Sequence, residues 1–387
     1  MKLIFLPFVL VACSDKLDDT GMESGPEEVR GIAALGGYTH DIASVTMTEI
    51  GGASDGLKMP RDLAFSPAVD DELWVVSRTD DSATIFSGAG TDAQESRTVI
   101  DPYALHFMEE VSSVAFGAAL FEGSDLPNFG TCHESMNTYN GWGEENEFMG
   151  PSLWSSDPDV FGESNPEAVE YWTSAYGQYT DLGSHIDMLH ESPLCMGIAW
   201  ETDNVYWVFN GLENAIDRVD FQEDHGVGWD DHNDGIVSQY VEGDVSRVPD
   251  VPSHLEMDAT TAFLYIADTG NNAIKVLDTT TGTRGGNLYS EEPRVDHHTM
   301  DDAMMWTLIE GSEHDMVQPS GLAIVEDTLL ITDHGTGVIH AFDLEGNPID
   351  WLDTGLGEGA LMGIIARSLD DIWVVDAKDD RVLRLQP

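Results

Sequence analysis

The sequence predicts an all-β fold made of repeated sheets, and three observations support that prediction. Residues 251–282 contain three short apolar strands, at 254–257, 262–267 and 273–278, and turn-forming residues separate them. The same pattern returns almost element for element at 318–347, and again at the C terminus. One such unit cannot bury both of its faces, so it must stack on its neighbours.

The best copies also carry a recognisable order of residues. Pro-x-Gly-Leu/Ile-Ala begins the unit, an apolar strand ending in Asp follows, and Asn-x-Ile/Val comes next. This order resembles the NHL repeat, whose family fold is a β-propeller. The resemblance covers roughly residues 40–387 and is strongest in the last third of the chain. It implies a fold and no particular function, because propellers carry unrelated activities.

The spacing of the copies predicts six blades. The corresponding first-strand residues are Leu63, Val114, Ile198, Leu255, Leu322 and Ile364. The last interval is the shortest and matches the roughly 40–45 residues of a four-stranded blade, so the longer intervals must contain loop insertions. The last copy has three strands before Pro387, and residues 42–50 form an unassigned strand ahead of the first copy. We expect this N-terminal strand to complete the last blade and close the ring.

The N terminus predicts export. Residues 1–12 combine Lys2 with an apolar run that is too short to span a bilayer, which is typical of a signal peptide. The run ends in Leu-Val-Ala-Cys, which resembles a bacterial lipobox, so Cys13 is the expected lipidation site. Ser14 after it favours the outer membrane by resemblance to enteric bacteria. The alternative is a cytosolic chain with a chance cysteine. Residues 13–38 are expected to be a flexible acidic tether, and residues 39–387 the propeller.

The charge balance excludes some classes of partner. The chain has 72 acidic and 16 basic residues, a net charge of −56. Binding to nucleic acid or to anionic lipid needs clustered Lys and Arg, so neither is expected, and a membrane would be reached through the lipid anchor alone. The acidic surface is suited either to salty surroundings or to holding divalent cations such as Ca²⁺.

The remaining two cysteines predict a disulfide. Cys132 follows the second strand of the second copy, and Cys195 opens the first strand of the third. In a propeller, the loops between strands 2 and 3 and the loops between blades lie on the same face. Cys132 and Cys195 are therefore expected to be neighbours on adjacent blades and to be bonded.

The longest insertion, at about 137–193, is expected to contain a small helical part near 165–190. Asn165 is a suitable N-cap, Pro166 suits the first helical position, and Gly177 can end the helix. A second short turn is expected at 184–190. The insertion emerges on the strand 2–3 side, so it is expected either to cover the mouth of the channel or to brace the packing.

Histidines near that mouth form the first candidate site. His185 and His190 precede the third copy, and His254 occupies a first-strand position where the other copies carry Asp or smaller residues. Three neutral imidazoles would suit Zn²⁺ or another transition metal. The alternative is that each histidine satisfies a loop carbonyl. Four further residues on this face are candidates for binding a ligand: Arg61, Arg78, His133 and His334.

A second metal candidate lies in the segment 224–235. Its potential ligands are Asp224, His225, Asp230, His232 and Asp234. Their spacing partly matches a calcium loop, although the expected glutamate is displaced by one residue. The segment joins strands 3 and 4 of the third copy, so it is expected to lie on the face of the propeller opposite the first candidate site. The alternative is a hairpin loop stabilised by its own turn hydrogen bonds.

Motifs of two related enzyme families are absent from the sequence. The peptide-amidating lyases place a zinc-binding His directly after Pro at the start of first strands, where this chain has residues such as Arg61 and Ser253. The Glu-Gly-Pro-x-Trp motif of gluconolactonase-like propellers is matched only superficially at 149–154. The expected function is therefore an envelope-anchored binding or scaffold module for an unknown protein or small molecule, with a metal ion at the channel mouth. The alternative is a metal-dependent lyase or hydrolase at that position.

Overall fold

The structure is a computed structural model that describes residues 31–137 and 146–387. Six sheets follow one another along the chain, and the first strands of all six line a central channel. The predicted all-β six-bladed propeller is therefore confirmed. The predicted signal peptide and Cys13 lie outside the described residues.

The strands form the blades in chain order, apart from β1 (Thr46–Gly51), which belongs to the last blade. Blade 1 comprises β2 (Pro60–Phe65), β3 (Leu73–Ser77), β4 (Ser82–Ser87) and β5 (Glu95–Ile100). Blade 2 comprises β6 (Val111–Phe116), β7 (Asn128–His133), β8 (Ser152–Ser155) and β9 (Asp187–Met188). Blade 3 is built on β10 (Cys195–Thr202), β11 (Val205–Asn210), β12 (Ala215–Asp220) and β13 (Ile236–Tyr240).

The second half of the ring contains one irregular blade. Blade 4 comprises β14 (Leu255–Asp258), β15 (Phe263–Asp268), β16 (Ala273–Asp278) and β19 (Met304–Glu310). A hairpin of β17 (Thr283–Asn287) and β18 (Asp296–Asp301) is inserted before its last strand. Blade 5 comprises β20 (Pro319–Val325), β21 (Thr328–Asp333), β22 (Val338–Asp343) and β23 (Pro348–Asp353). Blade 6 comprises β24 (Leu361–Ser368), β25 (Asp371–Asp376), β26 (Arg381–Gln386) and β1.

The inner strands are apolar along their whole length because neighbouring blades cover both of their faces. All six residues of β11 are buried, whereas five of the six in β5, at the outer edge of its blade, are exposed. Large aromatic side chains fill the space between blades, and Trp74, Phe129 and Trp154 do so between blades 1 and 2. Burying each such side chain stabilises the fold by about 1.5–3 kcal/mol.

The N-terminal strand closes the ring as the sequence predicts. Strand β1 pairs antiparallel with β26, with Thr46 opposite Gln386. Part of the segment expected to be a tether has defined structure, however. Ile32 and Leu35 are buried against the core of blades 5 and 6, and Asp350 Oδ2 accepts a hydrogen bond from the Ile32 amide at 2.9 Å. The end of the expected tether is thus packed against the propeller, and the rest of it lies outside the described residues.

The long insertion is divided by strand β8. A single-turn helix, α1 (Ala104–Phe107), precedes the insertion in the chain. The helix of the insertion, α2 (Pro166–Tyr176), begins after the predicted N-cap Asn165 and is ended by Gly177. The turn expected at 184–190 contains strand β9 instead. Helix α2 lies between β8 and β9 and packs on blade 3, where Trp172 Nε1 donates to the Gly228 carbonyl at 3.0 Å. These contacts place it against blade 3 rather than over the channel mouth. In the part of the chain that the structure describes, no helix combines the length and apolar character needed to cross a membrane.

The β17–β18 hairpin is a further element that the sequence did not predict. It is an insertion of blade 4, yet β18 pairs in parallel with β13, the outer strand of blade 3, with Ile236 opposite Asp296. Blade 3 thereby becomes a six-stranded sheet. The hairpin brings residues 288–295 to the outer side of blades 2 and 3.

Candidate metal centre

A disulfide joins the two blades that carry the candidate centre. Cys132 is the last residue but one of β7 in blade 2, and Cys195 begins the first strand of blade 3. Their Cα atoms are 5.1 Å apart. The predicted pairing of Cys132 with Cys195 is therefore confirmed.

The connection between β12 and β13 folds back over the outer edge of blade 2. The amide of His225 donates to the Ile186 carbonyl and that of Gly228 to the His185 carbonyl, both at 3.0 Å. The segment that holds His225 and His232 is therefore tied to the residues around β9. The two separate metal candidates of the sequence meet at this point.

Three histidines converge there, two of them buried and His225 half-buried. His185, His225 and His232 each place one ring nitrogen within 4.8 Å of the others. The Nε2 atoms of His225 and His232 are 3.1 Å apart. Two nitrogens bound to one tetrahedral zinc ion at 2.0–2.1 Å would be about 3.3 Å apart, so this pair is close to the spacing that a zinc ion requires.

The other ring nitrogens of these histidines face oxygen acceptors. His185 Nδ1 donates to the Leu182 carbonyl at 2.8 Å, and His225 Nδ1 to the Gly226 carbonyl at 2.7 Å. His232 Nδ1 lies 3.1 Å from Glu292 Oε1. A proton held on Nδ1 leaves the Nε2 lone pair for a ligand, as in metal sites whose histidines are oriented by outer oxygen atoms. Among the described residues, the buried His185 Nε2 has no hydrogen-bond partner.

Burial favours the neutral, metal-binding form of His185, His225 and His190. It lowers the pKa of His185 and of His225 well below the usual value, and neighbouring histidines lower both further. Burial also lowers the pKa of His190 to about 4, although Glu292 opposes that shift. His185, His190 and His225 are thus neutral nitrogen donors at neutral pH, with no protonation to compete for a cation.

A second set of potential ligands adjoins the first. His190, His232 and Glu292 also place one ligand atom each within 4.8 Å of the others, and His190 Nδ1 is 2.7 Å from Glu292 Oε1. Glu292 comes from the inserted hairpin, which is attached by the hydrogen bond of Ser290 Oγ to Glu191 Oε1 at 2.7 Å. Burial raises the pKa of Glu292, but His190 and His232 outweigh it and hold that pKa well below its usual range.

Aromatic rings fix the planes of two of the histidines. Phe107 stacks on His185 with ring centroids 3.5 Å apart, and Phe148 stacks on His190 at 3.7 Å. His106, on the short helix α1, faces His190 with 3.2 Å between their Nε2 atoms. Glu292, His106 and both phenylalanines give no signal in the sequence, because they come from separate segments without a shared motif.

His254 does not join the other two histidines of the predicted trio. It lines the central channel, where its Nε2 lies 3.3 Å from the Ser112 carbonyl and its Nδ1 lies 3.7 Å from Asp62 Oδ1. His185 and His190 instead flank β9, the outermost strand of blade 2. The trio fails because first strands face the channel while last strands lie at the rim of the ring.

The residues expected to receive a ligand are used inside the protein. Arg78 binds Glu110 Oε2 at 2.8 Å and Asp250 Oδ1 at 3.0 Å. Arg61 is buried and donates to the Asp250 carbonyl, and burial lowers its pKa to about 10. His133 is buried beside Thr131, and His334 Nδ1 lies 3.0 Å from the Leu361 carbonyl. Arg61 and Arg78 therefore already have partners within the protein and are not free to bind an anionic ligand together.

The aspartates of the second candidate have different roles from its histidines. Asp224 Oδ1 and Asp234 Oδ2 accept amide hydrogen bonds within the loop, at 3.1 and 3.2 Å. Asp230 Oδ1 lies 3.7 Å from His232 Nε2, and burial raises the pKa of Asp230. Imidazole donors suit zinc, copper or nickel, whereas calcium requires a shell of oxygen ligands. The convergent set at this position therefore fits a transition metal.

Two cavities reach the cluster from outside. One of about 590 Å³ is lined by His190, Glu292 and Asp230 together with aromatic residues such as Tyr103 and Phe148. Another of about 620 Å³ borders His225 and Asp230 on the side of helix α2. The cluster is thus enclosed by protein but borders space in which a small molecule could lie.

Comparisons with known proteins agree on the fold. No protein-family model matches the sequence, and no curated protein is significantly similar to it. A Bacteroides thetaiotaomicron protein of unknown function is similar in structure, with 12% identity, a TM-score of 0.52, and coverage of 88% of this chain and 76% of its own. An auxiliary nutrient binding protein of the same organism is also similar in structure, with 10% identity, a TM-score of 0.51, and coverage of 88% of this chain and 76% of its own. A luciferin-regenerating enzyme has 11% identity to this chain and a TM-score of 0.51, with coverage of 89% of this chain and 95% of its own. At these identities the likeness shows the six-bladed propeller fold alone.

Proposed function

We propose that this protein is an exported binding propeller of the NHL type that carries a transition-metal ion, zinc or a similar ion, between blades 2 and 3. The observation that supports the proposal is the convergence of His185, His225 and His232, whose outer nitrogens are held by oxygen atoms. The site lies at the rim of the ring, so it replaces the channel-mouth position expected from sequence. The ion would fix the β12–β13 loop against blade 2 and offer a coordination position to a ligand.

Metal analysis tests the proposal directly. Full-length protein purified without added metal, or reconstituted after chelation, should hold a tightly bound transition-metal ion. His185→Ala should release it, because His185 supplies one of three nitrogen donors. His254→Ala is the matched control, since His254 is a buried histidine in the channel. Retention of metal by His185→Ala and its loss from His254→Ala would contradict the proposed site.

The anchoring part of the proposal rests on Leu10-Val11-Ala12-Cys13. A lipid on Cys13 would attach the propeller to the bacterial envelope, with the outer membrane as the expected location, and leave the blades available to a soluble ligand or a protein partner. Intact-mass analysis of the membrane fraction should show a mature chain that begins at a lipidated cysteine. A Cys13→Ser variant that remains equally membrane-bound would contradict this.

A metal-dependent hydrolase or lyase is the second candidate function. The observation that favours it is the cavity of about 590 Å³ beside His190, Glu292 and Asp230, where carboxylates adjoin potential metal ligands. A bound metal ion lowers the pKa of its water, and a nearby carboxylate can accept the proton. Turnover of an ester, lactone or glycoside panel that depends on added zinc and is lost in Asp230→Asn would favour this function over simple binding.

A further inference from the structure

His232 belongs to both sets of potential metal ligands and presents a different ring nitrogen to each. Its Nε2 lies 3.1 Å from His225 Nε2, on the side of His185. Its Nδ1 lies 3.1 Å from Glu292 Oε1, on the side of His190. We propose that the centre is binuclear, with the His232 imidazole bridging a first ion bound by His185 and His225 and a second ion bound by His190 and Glu292. This inference rests on the proposed function and extends it.

The second position has the geometry of ligands that face a common point. His190 Nδ1 and Glu292 Oε1 are 2.7 Å apart. Nevertheless, the buried His190 Nδ1 makes no aligned hydrogen bond among the described residues. Two ligand atoms that both point at one metal ion would lie this close to each other without pointing at each other, as a hydrogen bond would require. The other nitrogen of the same ring, His190 Nε2, is paired with His106 Nε2 at 3.2 Å, so Nδ1 is the atom left for the ion.

Both positions border space outside the cluster. His225, in the first position, lines the cavity of about 620 Å³, although His185 beside it is fully buried. The second position borders the cavity of about 590 Å³, which His190 and Glu292 line. A position with an open side suits an ion that exchanges ligands, so a small Lewis base is the class of ligand that the pair would take.

Bridging also has a defined proton balance. A neutral imidazole carries one N–H proton, which is released to solvent when both of its nitrogens bind metal. Glu292 is the carboxylate closest to His232 Nδ1 and would become a ligand of the second ion instead of a hydrogen-bond acceptor. Two divalent ions would be balanced in part by Glu292, the deprotonated His232 and the adjacent Asp230.

Metal stoichiometry tests the bridge. Metal-free full-length protein titrated with Zn²⁺ should bind two ions per chain. After loading with Cu²⁺, an imidazole-bridged pair should couple magnetically and give a much weaker EPR signal than two isolated ions. Glu292→Gln and His190→Gln should each halve the stoichiometry and restore the signal of a single ion. Glu291→Gln is the matched control, because Glu291 is the preceding residue and belongs to neither ligand set.

Each outcome of the titration has a separate meaning. Two ions with a weakened copper signal support the bridge. One ion in the wild type, unchanged in Glu292→Gln, overturns it and leaves the proposed mononuclear centre intact, with Glu292 orienting His232 by a hydrogen bond. Two ions with the full copper signal overturn the bridge as well. Zero ions overturn the proposed function itself. Far-UV CD melting of each variant, with the conservative Glu292→Asp beside Glu292→Gln, separates loss of a ligand from loss of the fold.

Discussion

At the scale of single residues, buried histidines outside the proposed metal centre couple stability to pH, and His340 is one of them. Burial lowers its pKa to about 4, against the opposing effect of Asp333. The unfolded chain therefore binds a proton on His340 between about pH 6.5 and pH 4 while the folded chain does not. Unfolding consumes that proton, so the stability that His340 contributes is present above pH 6.5 and is lost as the pH falls towards 4.

The substitution His340→Gln should accordingly flatten the pH dependence of unfolding. Wild-type protein should lose up to about 1.4 kcal/mol more stability per pH unit than the variant across that range. Urea denaturation of both proteins at about pH 7 and pH 5 measures the difference. Parallel loss of stability in the two proteins would show that His340 takes up its proton in the folded state as well.

The residues of the proposed metal centre were only partly predictable. His185, His190, His225 and His232 all stand out in a chain with 13 histidines, because they lie in segments rich in potential ligands. The sequence does not show that the β12–β13 loop folds back onto β9, so it pairs His185 and His190 with the wrong partner, His254. Glu292 gives no sequence signal, since it is one of 72 acidic residues and acts only through a hairpin that joins another blade.

At the scale of elements, the Cys132–Cys195 bond is the covalent link between blades 2 and 3, and it encloses the loop that contains the insertion. In the chain-entropy model, closing a loop with a sequence separation of 63 stabilises the fold by about 4 kcal/mol. The double variant Cys132→Ala/Cys195→Ala should lose stability of that order. Denaturation in reducing buffer should bring the wild type to the level of the variant. Equal stability of both proteins in oxidising and reducing buffer would contradict this role.

Elements with strong local signals were predicted well, and those without were missed. Helix α2 has an N-cap, a proline at its first position and a terminal glycine, and each of these acts within a few residues. Strand β1 was inferred because the last repeat lacked a fourth strand. The β17–β18 hairpin has the sequences TRGGN and DHHTMD, which lack alternating apolar residues, so only its pairing with β13 makes it a strand pair.

At the scale of the whole molecule, the repeat determines the ring and the surface charge determines its response to ions. Six copies of the repeat, the last of them one strand short, were enough to predict the closed propeller, because stacking is the only way for such units to bury their faces. Many of the basic residues form ion pairs, as Arg218 does with Glu201 and Arg384 with Asp371. With 72 acidic residues against 16 basic ones, most carboxylates have no cationic partner.

Stability should therefore rise with ionic strength. The unpaired carboxylates repel one another more in the compact state than in the expanded one, and salt screens that repulsion over about 8–10 Å at moderate concentration. The Tm of metal-free protein should increase gradually with NaCl, by roughly 1–2 °C for each kcal/mol of repulsion relieved in a ring of this size. Zinc, in contrast, should raise Tm in a saturable way near stoichiometric concentration, and His185→Ala should abolish that rise while keeping the response to NaCl. A Tm that is flat in NaCl but increases with micromolar calcium would mean that specific carboxylate sites, rather than general repulsion, limit the stability of the ring.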